Sequence, residues 1–134
     1  MRQVSRILAS VLGPKNVSNG DSILANHAKD CSHHPNPKPP DLVVWPQNVE
    51  QVQEIAKIAT SHRIPLIPYG TGTGLEGGLS AEKGGICINL SKMDQITDYN
   101  PQDFDVTVQP GVTRNVLNHF LKDDGIWFPI DPGL

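Results

Sequence analysis

The sequence predicts an α+β fold that opens with a small parallel βαβ unit. An apolar run, an amphipathic helical stretch and a second apolar run follow one another within residues 41–69, the spacing of strand, helix and parallel strand. A further buried run, Ile86-Cys87-Ile88-Asn89-Leu90, supplies a third strand, and two alternating segments beyond it are separated by turn residues. The 134 residues suffice for one domain but not two, since a chain near this size removes roughly two thirds of its unfolded surface from water.

Taken in order, Val4, Ile7, Leu8, Val11 and Leu12 recur at helical spacing and stop at the breaker pair Gly13-Pro14. The first eight residues hold two Arg, a Ser and no acid, which is also the composition of an organelle presequence. The helical repeat favours the first helix of a mature domain. Residues 29–40 carry four of the twelve prolines and almost no apolar side chain, so they read as an extended connector and a boundary. Residues 1–38 then form an N-terminal helix and Pro-rich connector, and residues 39–134 form the main domain.

Residues 41–45 make a short strand ended by Pro46. Asn48 is placed to cap the next helix with Gln51 as its reciprocal partner, and Val49, Val52, Ile55, Ala56 and Ala59 form its apolar stripe to about His62. The prolines of residues 65–69 keep that strand out of the middle of a fully paired sheet. Residues 95–99 and 103–109 form a hairpin around the turn Asn100-Pro101-Gln102-Asp103, with Phe104, Val106 and Val108 on one face. Thr113 caps a last helix bearing Val116, Leu117, Phe120 and Leu121 and stopped at Gly125. The closing IWFPIDPGL is apolar and Pro-rich with no charged tail, and we expect the chain to be truncated within a larger fold.

Charge and composition exclude several functions. The net charge is -3 and the eleven Lys and Arg are scattered, which leaves no electrostatic footprint for nucleic acid or an acidic membrane. No apolar run approaches the ~20 residues of a membrane helix, so a soluble chain is expected. Cys31 and Cys87 make neither a disulfide framework nor a zinc site. Cys31, His33 and His34 lack a fourth ligand and a rigid frame, so no metal is expected. His27, His62 and His119 are isolated in sequence and offer no catalytic base by spacing. Cys87 and Met93 read as core, Asp103-Phe104-Asp105 as a solvated strand edge, and Lys122-Asp123-Asp124 as a polar helix end.

The chemical centre is the loop at residues 68–79. Gly70-Thr71-Gly72-Thr73-Gly74-Leu75-Glu76-Gly77-Gly78 places five glycines in nine positions directly after a strand. Glycine permits positive φ and close approach of a ligand to main-chain N–H groups. Residues 72–77 satisfy G-x-G-x-x-G, yet the helix that receives a pyrophosphate in a Rossmann fold has no room before the next strand. A P-loop fails because the loop holds no Lys or Arg. A ligand-free turning loop explains the glycines but not the alternating Thr71 and Thr73 hydroxyls. The favoured reading is a diphosphate cradle of backbone donors and hydroxyls, in which each bond to a charged oxygen contributes roughly 1.5–3 kcal/mol.

At this point a resemblance becomes specific. The segments PPDLVVWPQNVEQVQEIAKIA, IPLIPYGTGTGLEGG, DFDVTVQPGVT and WFPIDPG occur in that order. Their order resembles the FAD-binding, PCMH-type domain of the vanillyl-alcohol oxidase superfamily, in its D-lactate dehydrogenase and glycolate oxidase branch. The resemblance runs from Pro39 to Gly133 and implies the first FAD subdomain with the start of the second. A substrate cap domain would follow them. It implies a reaction that moves hydride from a D-2-hydroxy acid to flavin and then electrons to cytochrome c or another acceptor.

It implies, too, that Tyr69, Gly70, Thr71, Gly72, Thr73, Gly74, Leu75, Glu76, Gly77 and Gly78 wrap the pyrophosphate. Pro110 and Gly111 would lie against the ribityl chain or ring edge, and Asp131, Pro132 and Gly133 would begin the next cofactor segment, with Pro68 and Trp45 in support. Some relatives attach flavin through a histidine in the glycine loop; this loop has none, which predicts non-covalent FAD. Glu76 is expected to accept hydrogen bonds from the loop itself, since a carboxylate beside a diphosphate is otherwise unfavourable.

In the resembled family the substrate-binding and proton-accepting groups lie in later segments. No catalytic residue is therefore assigned, and the 134 residues alone are expected to be inactive. The expected partners are a small 2-hydroxy acid and an electron acceptor, with no nucleic acid and no membrane span. The implied location is mitochondrial in a eukaryote and otherwise cytoplasmic. A non-catalytic relic of the FAD fold, kept for binding or assembly, stands as the alternative.

Overall fold

A computed structural model describes residues 1–130, in two compact units that divide after Lys92. In the first unit α1 (Arg2–Leu12), β1 (Val17–Ser18), α2 (Asp21–Asn26), β2 (Leu42–Val44), α3 (Val49–Ser61), β3 (Leu66–Tyr69) and β4 (Ile86–Asn89) follow one another. The sheet order is β1-β2-β4-β3. The expected strand, helix and strand are present as β2, α3 and β3, but they do not pair. Strand β4 lies between them, parallel to both, with Val43 and Ile67 each in register with Cys87. The fully buried β4 takes the central place, and the proline-bearing β3 takes the edge, where its missing N–H costs no ladder bond.

Side chains alternate across a strand, so the sheet has two faces of different character. Leu42, Val44, Ile86 and Ile88 pack with Val4, Leu8 and Leu12 of α1 and with Ile55 and Ala59 of α3. The presequence-like first residues are thus built into the core through α1. The opposite face carries Val43, Cys87 and Ile67, all buried. Strand β1 pairs antiparallel with β2 and closes that edge.

Helix α3 starts as expected, with Asn48 Oδ1 accepting the Gln51 N–H at 2.9 Å. The return bond is displaced by one residue, because Gln51 Oε1 accepts the N–H of Gln47 at 2.8 Å, not that of Asn48. At the other end His62 caps the helix, its Nδ1 donating to the Ile58 carbonyl at 2.9 Å.

The second unit contains the hairpin β5 (Ile96–Asn100) and β6 (Asp105–Val108) and then α4 (Arg114–Leu121). Thr113 Oγ1 accepts the Val116 N–H at 3.3 Å as the cap, and Gly125 is left-handed at φ 69. Phe104 departs from expectation. It lies in the turn at φ 54, 81% exposed, so it does not share the strand face of Val106 and Val108. The four-residue connection needed a left-handed position before β6 could begin, and Phe104 occupies it. Asn118 clips the aromatic tail to α4 by accepting the Phe128 N–H at 2.6 Å and donating to its carbonyl at 3.2 Å.

Candidate functional site

The glycine loop leaves the C-terminal end of β3, the side of a parallel sheet at which open α/β folds bind their ligands. Gly72 and Gly77 hold positive φ, 76 and 74. A Cβ on Gly72 would meet the Tyr69 hydroxyl at 2.8 Å, and one on Gly77 would meet the His34 ring at 3.2 Å. Gly70 and Gly78 face open space instead, with nothing within 4 Å of a Cβ. Two of the glycines therefore serve the loop's own packing, and two leave its main chain approachable.

Among the described residues, no main-chain N–H from Gly70 to Glu76 donates to another protein group. A run of consecutive unspent donors is the chemistry an anionic oxygen requires. The Thr71 and Thr73 hydroxyls stand 3.4 Å apart and exposed. Leu75 and Glu76 are exposed as well. Glu76 takes no hydrogen bond from the loop, contrary to expectation. Another carboxylate stands beside the loop.

That carboxylate is Asp30, from the proline-rich connector. Its Oδ2 lies 3.5 Å from the Cβ position of Gly74 and is shielded from solvent. Hydrogen bonds from the Ser32 side chain and main chain hold the Asp30 carboxyl below the usual carboxylate range. Next to it Cys31 donates its N–H to the Gly74 carbonyl at 2.9 Å. Farther along, Lys38 Nζ pairs with Glu82 at 2.7 Å, and the Lys38 N–H donates to Ser80 Oγ at 2.9 Å. The Lys38 bond and then the Ser80 bond lower the Glu82 carboxyl. What reads in sequence as a featureless connector is the second wall of the loop.

Beneath the loop, Tyr69, Trp45 and Asn89 share the sheet face opposite α1 and α3, and His27 packs among them. The His27 ring lies 4.5 Å from Tyr69 and 5.7 Å, edge-on, from Trp45. Its Nε2 is 2.9 Å from Asn89 Nδ2. Sequence reading missed this group, because the four residues are far apart in the chain and His27 follows a helix too short to announce itself. Desolvation first, and Cys87 second, raise the Tyr69 phenol, so it keeps its proton.

Pro68, Tyr69 and the residues from Gly70 to Gly78 are thus brought into one built loop. Pro110 and Gly111 belong to the second unit, where the Gly111 N–H donates to the Met93 carbonyl at 2.8 Å. Asp131, Pro132 and Gly133 lie outside the described residues. Among the described residues no group of three or more His, Cys, Asp or Glu is placed to hold a metal ion. Nor is any described helix long and apolar enough to cross a membrane.

Known proteins resemble the chain over most of its length. Residues 40–134 match a family described as FAD binding domain. The chain is 51% identical over 133 residues to a probable mitochondrial D-lactate dehydrogenase of Danio rerio, covering 97% of this chain and 27% of that protein. It is 42% identical over 94 residues to the mitochondrial D-lactate dehydrogenase [cytochrome] of Arabidopsis thaliana, covering 70% of this chain and 17% of that protein. Among solved structures, alkyldihydroxyacetonephosphate synthase superposes with a TM-score of 0.88 at 20% identity, over 98% of this chain and 26% of that one. Substrate-bound p-cresol methylhydroxylase superposes at 0.76 and 24%, over 92% and 25%. These two likenesses bear on the fold alone.

Proposed function

The chain belongs to the FAD-binding domain family, in its PCMH-type branch with FAD as cofactor, and on that premise we propose that it is the flavin-holding part of a D-2-hydroxy-acid dehydrogenase. The observation that supports this most is the 51% identity with a probable D-lactate dehydrogenase across nearly the whole chain. The chain spans about a quarter of the length of that relative, so substrate and acceptor are inferred for the protein as a whole.

The residues present fit the cofactor. The unspent N–H groups from Gly70 to Glu76 and the Thr71 and Thr73 hydroxyls would hold the diphosphate oxygens. No loop cation is needed, since bonds from neutral donors to a charged oxygen are each worth roughly 1.5–3 kcal/mol net. The open faces of Gly70 and Gly78 let the diphosphate reach the main chain. By resemblance alone, Pro110 and Gly111, and beyond the described residues Asp131, Pro132 and Gly133, would border the rest of the flavin. Binding is non-covalent, because the loop itself contains no histidine. When bound, FAD supplies the acceptor for the hydride released as a D-2-hydroxy acid such as D-lactate becomes its 2-oxo acid. Electrons pass on to cytochrome c or another one-electron acceptor, and the location is mitochondrial in a eukaryote.

On their own these 134 residues would bind FAD weakly and would not turn substrate over. The test is direct. The whole protein is purified and its visible flavin absorbance recorded, the flavin is released by acid or heat to establish that it is not covalent, and bleaching by D-lactate is followed without oxygen. A colourless preparation that takes up no added FAD sinks the reading. Bleaching by the isolated residues 1–134 overturns the statement that they are inactive alone.

A further inference from the structure

His27 and Asn89 are the buried polar side chains among the described residues, and they bond to each other across the sheet face below the glycine loop. The network assigns every proton in it. The Ser91 N–H donates to Asn89 Oδ1 at 3.0 Å, which turns the amide so that Nδ2 faces the imidazole. Because Nδ2 can only donate, His27 Nε2 accepts, and the ring proton sits on Nδ1, where it is donated to the Ile23 carbonyl at 2.8 Å. The ring is thereby held in one tautomer and one orientation. An apolar pair of the same shape would stabilise the fold as well, whereas a fully satisfied buried network specifies one arrangement.

Two things are arranged by this ring. On one side it is the seat of Tyr69, at a ring separation of 4.5 Å. The Tyr69 hydroxyl in turn lies 2.8 Å from where a Cβ of Gly72 would stand, so Tyr69 packs against the left-handed turn of the loop. On the other side His27 is the root of the connector. Two residues on, the Lys29 carbonyl lies 3.6 Å from the same Gly72 position, and Cys31 holds the Gly74 carbonyl. Both supports of the loop thus start at one residue, Tyr69 from its ring and the connector from its main chain.

We propose that His27, fixed by Asn89, is a positioning residue for diphosphate recognition, acting through Tyr69 and the root of the connector to set the shape of the glycine loop. This rests on the flavin-binding reading above and adds to it a residue outside the loop. The affinities of FAD and of ADP, a diphosphate without the flavin ring, are measured on the flavin-depleted protein beside the melting temperature of the ligand-free form. His27→Phe keeps a ring but loses both hydrogen bonds, and about tenfold weaker binding of both ligands is expected, equivalent to one lost bond of about 1.4 kcal/mol. His27→Gln, which can again accept from Asn89, restores most of the affinity. In a Tyr69→Ala background His27→Phe adds little further loss.

A purely structural role predicts otherwise: the melting temperature falls while ADP binding holds, or the two substitutions add. Either result overturns the proposal. Should His27→Phe not fold, Asn89→Leu is read by the same affinities and decides in its place. Wild-type protein that binds neither FAD nor ADP removes the flavin reading and this inference together. Wild-type binding that the variants match removes only the inference.

Discussion

Cys31 donates its main-chain N–H to the Gly74 carbonyl at 2.9 Å, tying the proline-rich connector to the glycine loop. The bond spends a loop carbonyl and leaves the neighbouring loop N–H groups free. The N–H groups from Gly70 to Glu76 are thereby left to the acceptors of a ligand. The glycines around that bond divide into two kinds, and the division is testable.

Gly72→Ala must hold an alanine at φ 76 with its Cβ against the Tyr69 hydroxyl. A left-handed alanine costs roughly 1–2 kcal/mol, and a corresponding fall in melting temperature is expected together with weaker FAD binding. Gly78→Ala meets nothing within 4 Å and has no positive φ. Its stability should stay within about 0.5 kcal/mol of wild type, while FAD and ADP affinity fall because the Cβ stands where the diphosphate approaches. Thermal melts beside ligand titrations separate the two, and unchanged ligand affinity in Gly78→Ala would count against close approach at that residue.

Gly85 is the stringent glycine of the fold, not of the site. Its φ is 117, and a Cβ would collide with the Pro65 carbonyl, itself bonded to the Ile86 N–H at 2.9 Å. The Gly85 N–H is also held by Asp41 Oδ2 at 2.7 Å. Since the obstacle is main chain at the start of two paired strands, β3 and β4 cannot yield cheaply. Gly85→Ala is expected to lose about 2–4 kcal/mol, read as a large drop in melting temperature whether or not ligand is present.

Sequence patterning made the elements of this fold legible where periodicity was local. The stripe of α3, the apolar run of β4 and the caps at Asn48 and Thr113 follow from neighbours within a few residues. The insertion of β4 between β2 and β3 did not follow, because strand order depends on contacts between segments far apart in the chain. For the same reason the loop could be read from its glycines and threonines, but its supports could not. Asp30, Cys31 and His34 reach it from a stretch whose prolines and polarity look like linker, and His27, just before that stretch, packs under Tyr69. Glu76 and Phe104 were misplaced by assuming that a charge must be satisfied locally and that alternation continues through a turn.

The cap of α3 offers a graded test of the local signals. Asn48→Ala removes the acceptor of the Gln51 N–H and should cost about 1 kcal/mol, whereas Asn48→Ser or Asn48→Asp should cost little. Gln51→Ala removes the return bond to the Gln47 N–H, which is exposed, so its cost should be the smaller of the two. Equal losses for Asn48→Ala and Asn48→Ser in urea unfolding would show that the side-chain bond is not what starts the helix.

The two cysteines should answer thiol reagents in opposite ways. Cys31 is exposed, and Cys87 is buried at the centre of the sheet, where desolvation pushes its thiol from 9.0 to about 12. In the folded protein near pH 8, one thiol should react at once and the second only on unfolding. The raised value also fixes how stability depends on pH. The native state favours the neutral thiol more than the unfolded chain does, so this contribution is complete below pH 9.0 and is lost as pH climbs toward about 12. Tyr69 is shifted the same way and adds to the alkaline loss. In an alkaline titration followed by circular dichroism, Cys87→Ala should move the midpoint upward, even though the smaller side chain lowers stability at neutral pH. A midpoint that moves downward or stays put would show that ionisation of this buried thiol does not drive the transition.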